Sequence, residues 1–252
     1  MKRSGDLEYA YARIASRFGD RPNESAWRMI AIVRGLPAFL DAAHAPPFRR
    51  WIGGITADAG PHAIEAALVG HWRTLVDELC EWMPERWHAA LTWAGTLVDL
   101  PVVEYLARGG AVLPWMQDVP LYRALGRSAG APPAHGLLAP LAIAWAEPEG
   151  LFRAWCDELS RRVPRRSWEA SATIEDCARL LLKHRSALAD PSLGDGILRR
   201  GALVSRLSAL YRRSTLDPGA ALVFLALSAL DMERLRGELL RRAIFPRLGL
   251  AA

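Results

Sequence analysis

A chain of 252 residues that is 51% apolar and 23% charged can bury a real core and has the balance of a globular protein. Its longest apolar run, 218–230, is too short to cross a bilayer, and the charged opening Met1-Lys2-Arg3-Ser4 lacks the apolar stretch of a signal peptide. The formal charge of +5 is uneven: residues 1–150 carry 14 basic and 16 acidic side chains, residues 151–252 carry 18 and 11.

Leu7, Tyr11, Ile14 and Phe18 recur at helical spacing before Gly19, which predicts an amphipathic helix over 7–18. Asn23 or Ser25 caps a second helix that turns Trp27, Ile30 and Val33 inward and ends at Gly35. Pro37 opens a short third helix that Pro46-Pro47 stop near Ala43, and 48–55 reads as one or two further turns. A long helix over 61–83 sets Ile64, Leu68, Trp72, Leu75, Leu79 and Trp82 on one stripe until Pro84 breaks it. The pattern continues as helices over 85–98, from Pro101 to Gly109-Gly110, and over 119–126. Residues 126–136 hold the densest breakers in the chain and read as a linker between an N-terminal lobe, 1–125, and a basic C-terminal lobe, 137–252. Beyond it helices are expected at 137–146, 149–162, 174–188 (opened by Thr173 and Asp176 as a capping box), 196–213 and 217–246. Sustained alternation of period two is absent, so the class is all-α: a multi-helix bundle of one large domain or two helical lobes.

The last helix organises the rest. The Asp217 carboxylate can accept N–H groups of its first turn, and Pro218 suits the first position. Residues 220–230 are apolar all round apart from Ser228, which predicts burial. From Asp231 onward the helix is charged and must reach solvent, a partner or a polar groove.

Candidate chemistry is sparse. Gly126-Arg-Ser128-Ala-Gly130 matches the nucleophile pattern G-x-S-x-G, but that motif needs a strand before it and a helix after it, and here Ala-Pro-Pro follows. Glu85 and His88 stand at i, i+3, the spacing of carboxylate-bridged metal bundles, without the second copy such a site requires. Neither G-x-G-x-x-G nor a P-loop is present, and the remaining histidines lack zinc-ligand spacing. Cys80, Cys156 and Cys177 are odd in number and far apart, which suits reduced thiols in a cytoplasm. Lys2 and Lys183 are the only lysines, so the basic half is an arginine surface. Its clusters (161/162/165/166, 199/200/206, 212/213, 241/242) fit a solvated or partner-facing surface better than a nucleic-acid module, which wants aromatics on the same face. High Arg with low Lys is equally what genomic base composition can produce.

The closing helix, from Phe224-Leu225 through Asp231-Met-Glu233-Arg234-Leu235-Arg236 to Leu240, resembles that of the V-type/A-type ATPase subunit d family, the archaeal members included. Phe224 takes the aromatic place, Asp231 the second acidic place and Leu235-Arg236 the Leu-Arg step. Ala229 stands where the first acidic residue would be, and Arg234 where the family has asparagine. Tyr9-Ala-Tyr11-Ala-Arg13-Ile is similar to the family's early tyrosine-rich stretch. The resemblance implies a non-catalytic all-α subunit, shorter than its relatives, that couples the membrane rotor ring to the central stalk of an ion-transporting rotary complex. It implies no cofactor, no metal and no catalytic residue, and protein partners at the cytoplasmic face of the membrane. Its interaction residues would be Phe224, Asp231, Glu233, Arg236, Tyr11 and Arg13. A helical adaptor of another complex, or an enzyme with a helical site of unfamiliar design, are the other readings.

Overall fold

The computed structural model describes residues 5–126, 131–164, 168–189 and 196–245. Among them are twelve α-helices and no strand, so the chain is all-α.

Helix α1 (Gly5–Gly19) buries Ala10 and Ile14. Helix α2 (Glu24–Ala31) starts on Asn23, whose Oδ1 accepts the Ala26 N–H at 2.9 Å. It stops at Ala31, short of the expected Gly35. That glycine instead takes φ +73° and leads into α3 (Leu36–Ala43). The Pro46-Pro47 pair, expected only as a stop, also opens α4 (Pro46–Ile52), because a first turn needs no N–H from its proline. In α5 (Pro61–Trp82) the anticipated stripe from Ile64 to Trp82 is buried along its whole length, joined by Val76.

The stretch expected as one helix over 85–98 is divided. A 3-10 turn, Glu85–Trp87, precedes α6 (His88–Ala94), and a second 3-10 run, Gly95–Asp99, follows. The Thr96 hydroxyl donates to the Trp93 carbonyl at 2.7 Å, competing with the α-helical ladder at that point. Helices α7 (Leu100–Ala107), α8 (Pro120–Gly126) and α9 (Leu151–Arg162) come next. Between the last two, the helix expected at 137–146 is a 3-10 run, Ala139–Ala144; it contains Pro140 and is too short to offset α-helix nucleation. Helix α10 (Trp168–Ala189) begins ahead of the expected capping box, so Thr173 is buried inside it and Asp176 pairs with Arg179 at 2.7 Å. Helices α11 (Gly196–Arg213) and α12 (Gly219–Ile244) complete the chain.

The chain gathers into two compact units, Met1–Pro84 with Leu207–Ala252, and Glu85–Arg206. The stretch 126–136 expected as a linker falls inside the second range, and its residues 127–130 lie outside the described ones.

In the first unit α12 packs against α5, α1 and α3. Every residue from Gly219 to Ser228 is buried, as an all-round apolar helix segment requires. Sequestering Val223, Phe224 and Leu227 stabilises the unit by roughly 1.5–3 kcal/mol per side chain. Asp217 caps as expected: its Oδ1 accepts the Gly219 N–H at 2.7 Å. At the other end, Arg242 is almost fully buried. Its guanidinium donates to the carbonyls of Ile30, Ala31 and Val33, the last at 2.7 Å, and lies 4.1 Å above the Phe39 ring. One arginine of α12 thereby satisfies the open carbonyls at the end of α2.

The second unit is built around tryptophans. Trp93 Nε1 donates to the Trp155 carbonyl and Trp155 Nε1 donates to the Thr96 hydroxyl, both at 2.9 Å, which joins α6 to α9. The buried Asp99 carboxylate accepts the Tyr122 hydroxyl at 2.6 Å. Arg162 stacks 4.7 Å over Trp93 while pairing with Glu158, so part of the first arginine cluster is absorbed by packing.

Candidate interaction site

The ends of α1 and α4 and the middle of α12 line a small recess, open to solvent, in the first unit. Arg17, Asp20 and Arg21 come from the end of α1 and the turn after it; Arg50 and Trp51 from α4; and Phe224, Ser228 and Asp231 from α12. Asp231 is the pivot. Arg21 grips it with two bonds, Nε to Oδ2 at 2.7 Å and Nη2 to Oδ1 at 3.0 Å. Burial pushes the Asp231 carboxyl above the ordinary carboxylate range, with the Arg21 guanidinium opposing that shift.

A second cluster adjoins it. Glu78 of α5 accepts from Arg17 at 2.9 Å and from Arg50 at 3.3 Å, so one carboxylate ties α1 and α4 to α5. Burial, and after it the neighbouring Arg17 charge, lowers the Arg50 guanidinium from its usual value. With Asp20 at the surface, the three guanidiniums around the recess are answered by three carboxylates. The arrangement is electrically balanced and suited to holding helices in register.

Of the residues expected at an interaction site, Phe224 and Asp231 meet in this recess, and both are buried. Asp231 thus meets a polar groove, one of the three destinations open to the charged half of the helix, and is held there by Arg21. Arg236 is exposed and bonds Glu65 of α5 at 2.5 Å; Glu233 is exposed as well. Tyr11 lies parallel to Tyr211 with ring centroids 6.4 Å apart, and Arg13 stacks 5.0 Å over Trp82. These last four residues do not join the recess. Arg21, Arg50 and Glu78 are the members that sequence reading missed. Arg21 and Asp231 are 210 residues apart, and no local pattern announces such a pair. Arg234, standing where the family pattern has asparagine, holds Glu24 at 3.1 Å and covers the Trp27 ring at 4.5 Å.

The other candidates separate in the same way. Ser128 lies outside the described residues; the helix α8 that leads to it is not the strand a nucleophile turn requires. Glu85 is exposed and His88 half-buried, and among the described residues no group of three His, Cys, Asp or Glu side chains could hold a metal ion. Of the arginine clusters, 165 and 166 lie outside the described residues, Arg241 and Arg242 both pair with Glu238, and Arg199 donates to the Ala187 carbonyl. Comparison of the chain with protein-family models, with curated proteins and with solved structures finds no match in any of the three.

Proposed function

We propose that the chain is a non-catalytic helical subunit of a rotary V-type or A-type ATPase, seated between the membrane rotor ring and the central stalk. The observation that carries this reading is the meeting of the two stretches that resemble the subunit d family. Residues 9–14 lie on α1 and residues 224–240 on α12, at opposite ends of the sequence, and these two helices pack together in one unit. The balanced Arg–carboxylate recess supports a scaffold, because its charges are used to fix helices rather than to activate a group. Among the described residues no helix is long and apolar enough to cross a membrane, which is compatible with a subunit held at the membrane face by its partners.

The test is affinity isolation of the tagged chain from solubilised membranes of its own host, with the partners identified by mass spectrometry. Rotor-ring and central-stalk subunits are expected in stoichiometric amounts. Isolation of the chain alone, or within an assembly that contains no rotary subunit, overturns the assignment, and the second result favours a helical adaptor of that other complex.

A further inference from the structure

The recess of the first unit balances in formal charge but not in hydrogen bonds. Glu78 gives both oxygens to Arg17, whose Nη2 reaches Oε1 at 3.2 Å and Oε2 at 2.9 Å. Among the described residues Arg50 is left with one bond, Nη2 to the same Oε2 at 3.3 Å, although a guanidinium carries five N–H donors. Asp231 is taken up by the two bonds from Arg21. Asp20, the third carboxylate, is exposed and pairs with none of these arginines. Three guanidiniums thus share two bonded carboxylates, and Arg50 is served least.

A second group points the same way. Ser228 of α12 lines the recess and is only 3% exposed, yet its hydroxyl has no hydrogen-bond partner among the described residues. A buried hydroxyl on a helix ordinarily bonds the carbonyl one turn back, as Ser214 does with Leu210 at 2.8 Å. Spare donors from α4 and α12 therefore line one small opening, beside the Arg17 guanidinium of α1. Burial and the Arg17 charge lower the Arg50 guanidinium, the direction expected where positive charge exceeds what its neighbours answer. A planar carboxylate fills a single guanidinium fork. A tetrahedral phosphate offers oxygens in several directions and suits donors that arrive from different elements.

We propose that this recess binds a phosphate group, free or as a small monoester, with the Arg50 guanidinium and the Ser228 hydroxyl donating to its oxygens and Arg17 adding charge beside them. The proposal stands apart from the rotary assignment, since it needs only the purified chain and the anion. Inorganic phosphate and glycerol phosphate are titrated separately into the full-length protein by calorimetry, at an ionic strength held constant with chloride. Saturable binding is expected, and the tighter of the two ligands identifies the source of the group. The melting temperature should rise with occupancy, because the folded chain alone offers the site. Ser228→Ala should weaken binding about tenfold, the loss of one hydrogen bond to a charged acceptor, without unfolding the protein, since that hydroxyl holds no other group. Arg50→Gln should lose binding, whereas Arg49→Gln, an exposed arginine beside it on α4, should keep it. Asp20→Asn, which removes the free carboxylate from the mouth of the recess, should tighten binding about threefold. General salting by phosphate would instead stabilise every variant alike. No saturable binding of either ligand, or affinities unchanged by Ser228→Ala and Asp20→Asn, overturns the proposal.

Discussion

Single side chains decide where charge is tolerated in this molecule. Arg242 is only 5% exposed, yet its guanidinium sits on three carbonyls at the end of α2 and on Glu238. Replacing it leaves those acceptors without their donor, so Arg242→Gln should lower unfolding stability by about 2–4 kcal/mol. Arg242→Lys should recover little, because a point-charge ammonium cannot span the same fork of acceptors. Urea denaturation of both variants checks this; a lysine variant as stable as the parent would count against the capping role. The thiols argue a different point. Burial pushes Cys156 and Cys177 up to about 12, against 9.0 for an ordinary thiol. An acid whose folded value is raised keeps its proton while the unfolded chain ionises, so stability is full below the unfolded value and falls as pH rises from about 9 towards 12. Burial moves the Tyr211 hydroxyl in the same direction. The melting temperature should therefore drop through that alkaline window, and Cys156→Ala/Cys177→Ala should flatten the drop even though it lowers stability at neutral pH. A disulfide-exchange reagent at neutral pH should meet Cys80, which is half-buried, before either of the others.

Among the helices, α5 is the element that the rest lean on in the first unit, through a stripe and a carboxylate. Glu78 lies off the buried stripe and receives Arg17 and Arg50 together, so Glu78→Gln should loosen both α1 and α4. The group is partly exposed and its ion pairs are screened, so the expected loss is about 1 kcal/mol and should shrink as salt is raised, which a denaturation series at two ionic strengths reads directly. Legibility in the sequence divides along the same line. The stripe of α5, the Asn23 cap and the Asp217 cap are consequences of neighbours within one or two turns, and spacing alone shows them. The start of α10 is not where Thr173 and Asp176 would put it, because tertiary burial overrides their local capping pattern. The run at 139–144 misleads for another reason: a short apolar stretch with a proline looks helical in either form. The recess is half legible. Phe224 and Asp231 stand out on the closing helix, but Arg21 and Glu78 reach their partners only after folding.

For the molecule as a whole, the decisive feature is that the two ends of the chain build one unit. Met1–Pro84 supplies α1 to α5, and Leu207–Ala252 supplies the helix they close on. The face that α12 buries runs from Gly219 to Arg242, and Asp231, Arg234 and Arg236 answer Arg21 of the turn after α1, Glu24 of α2 and Glu65 of α5. A chain stopped after Leu216 would leave α5 and α1 with an apolar face in water and Arg21 without its carboxylate. At roughly 25 cal/mol per Å² of newly exposed apolar surface, no rearrangement of α1 to α5 offsets such a loss. The truncated protein should show red-shifted fluorescence from Trp27, Trp51, Trp72 and Trp82, bind a hydrophobic dye and lose near-ultraviolet dichroism, while much of its helix content persists. Stopping after Ile244 should produce none of these changes, since the buried face of α12 is then complete. A chain ending at Leu216 that kept native tryptophan emission would mean that the N-terminal helices hold their core alone, and α12 would then be free to serve a partner instead.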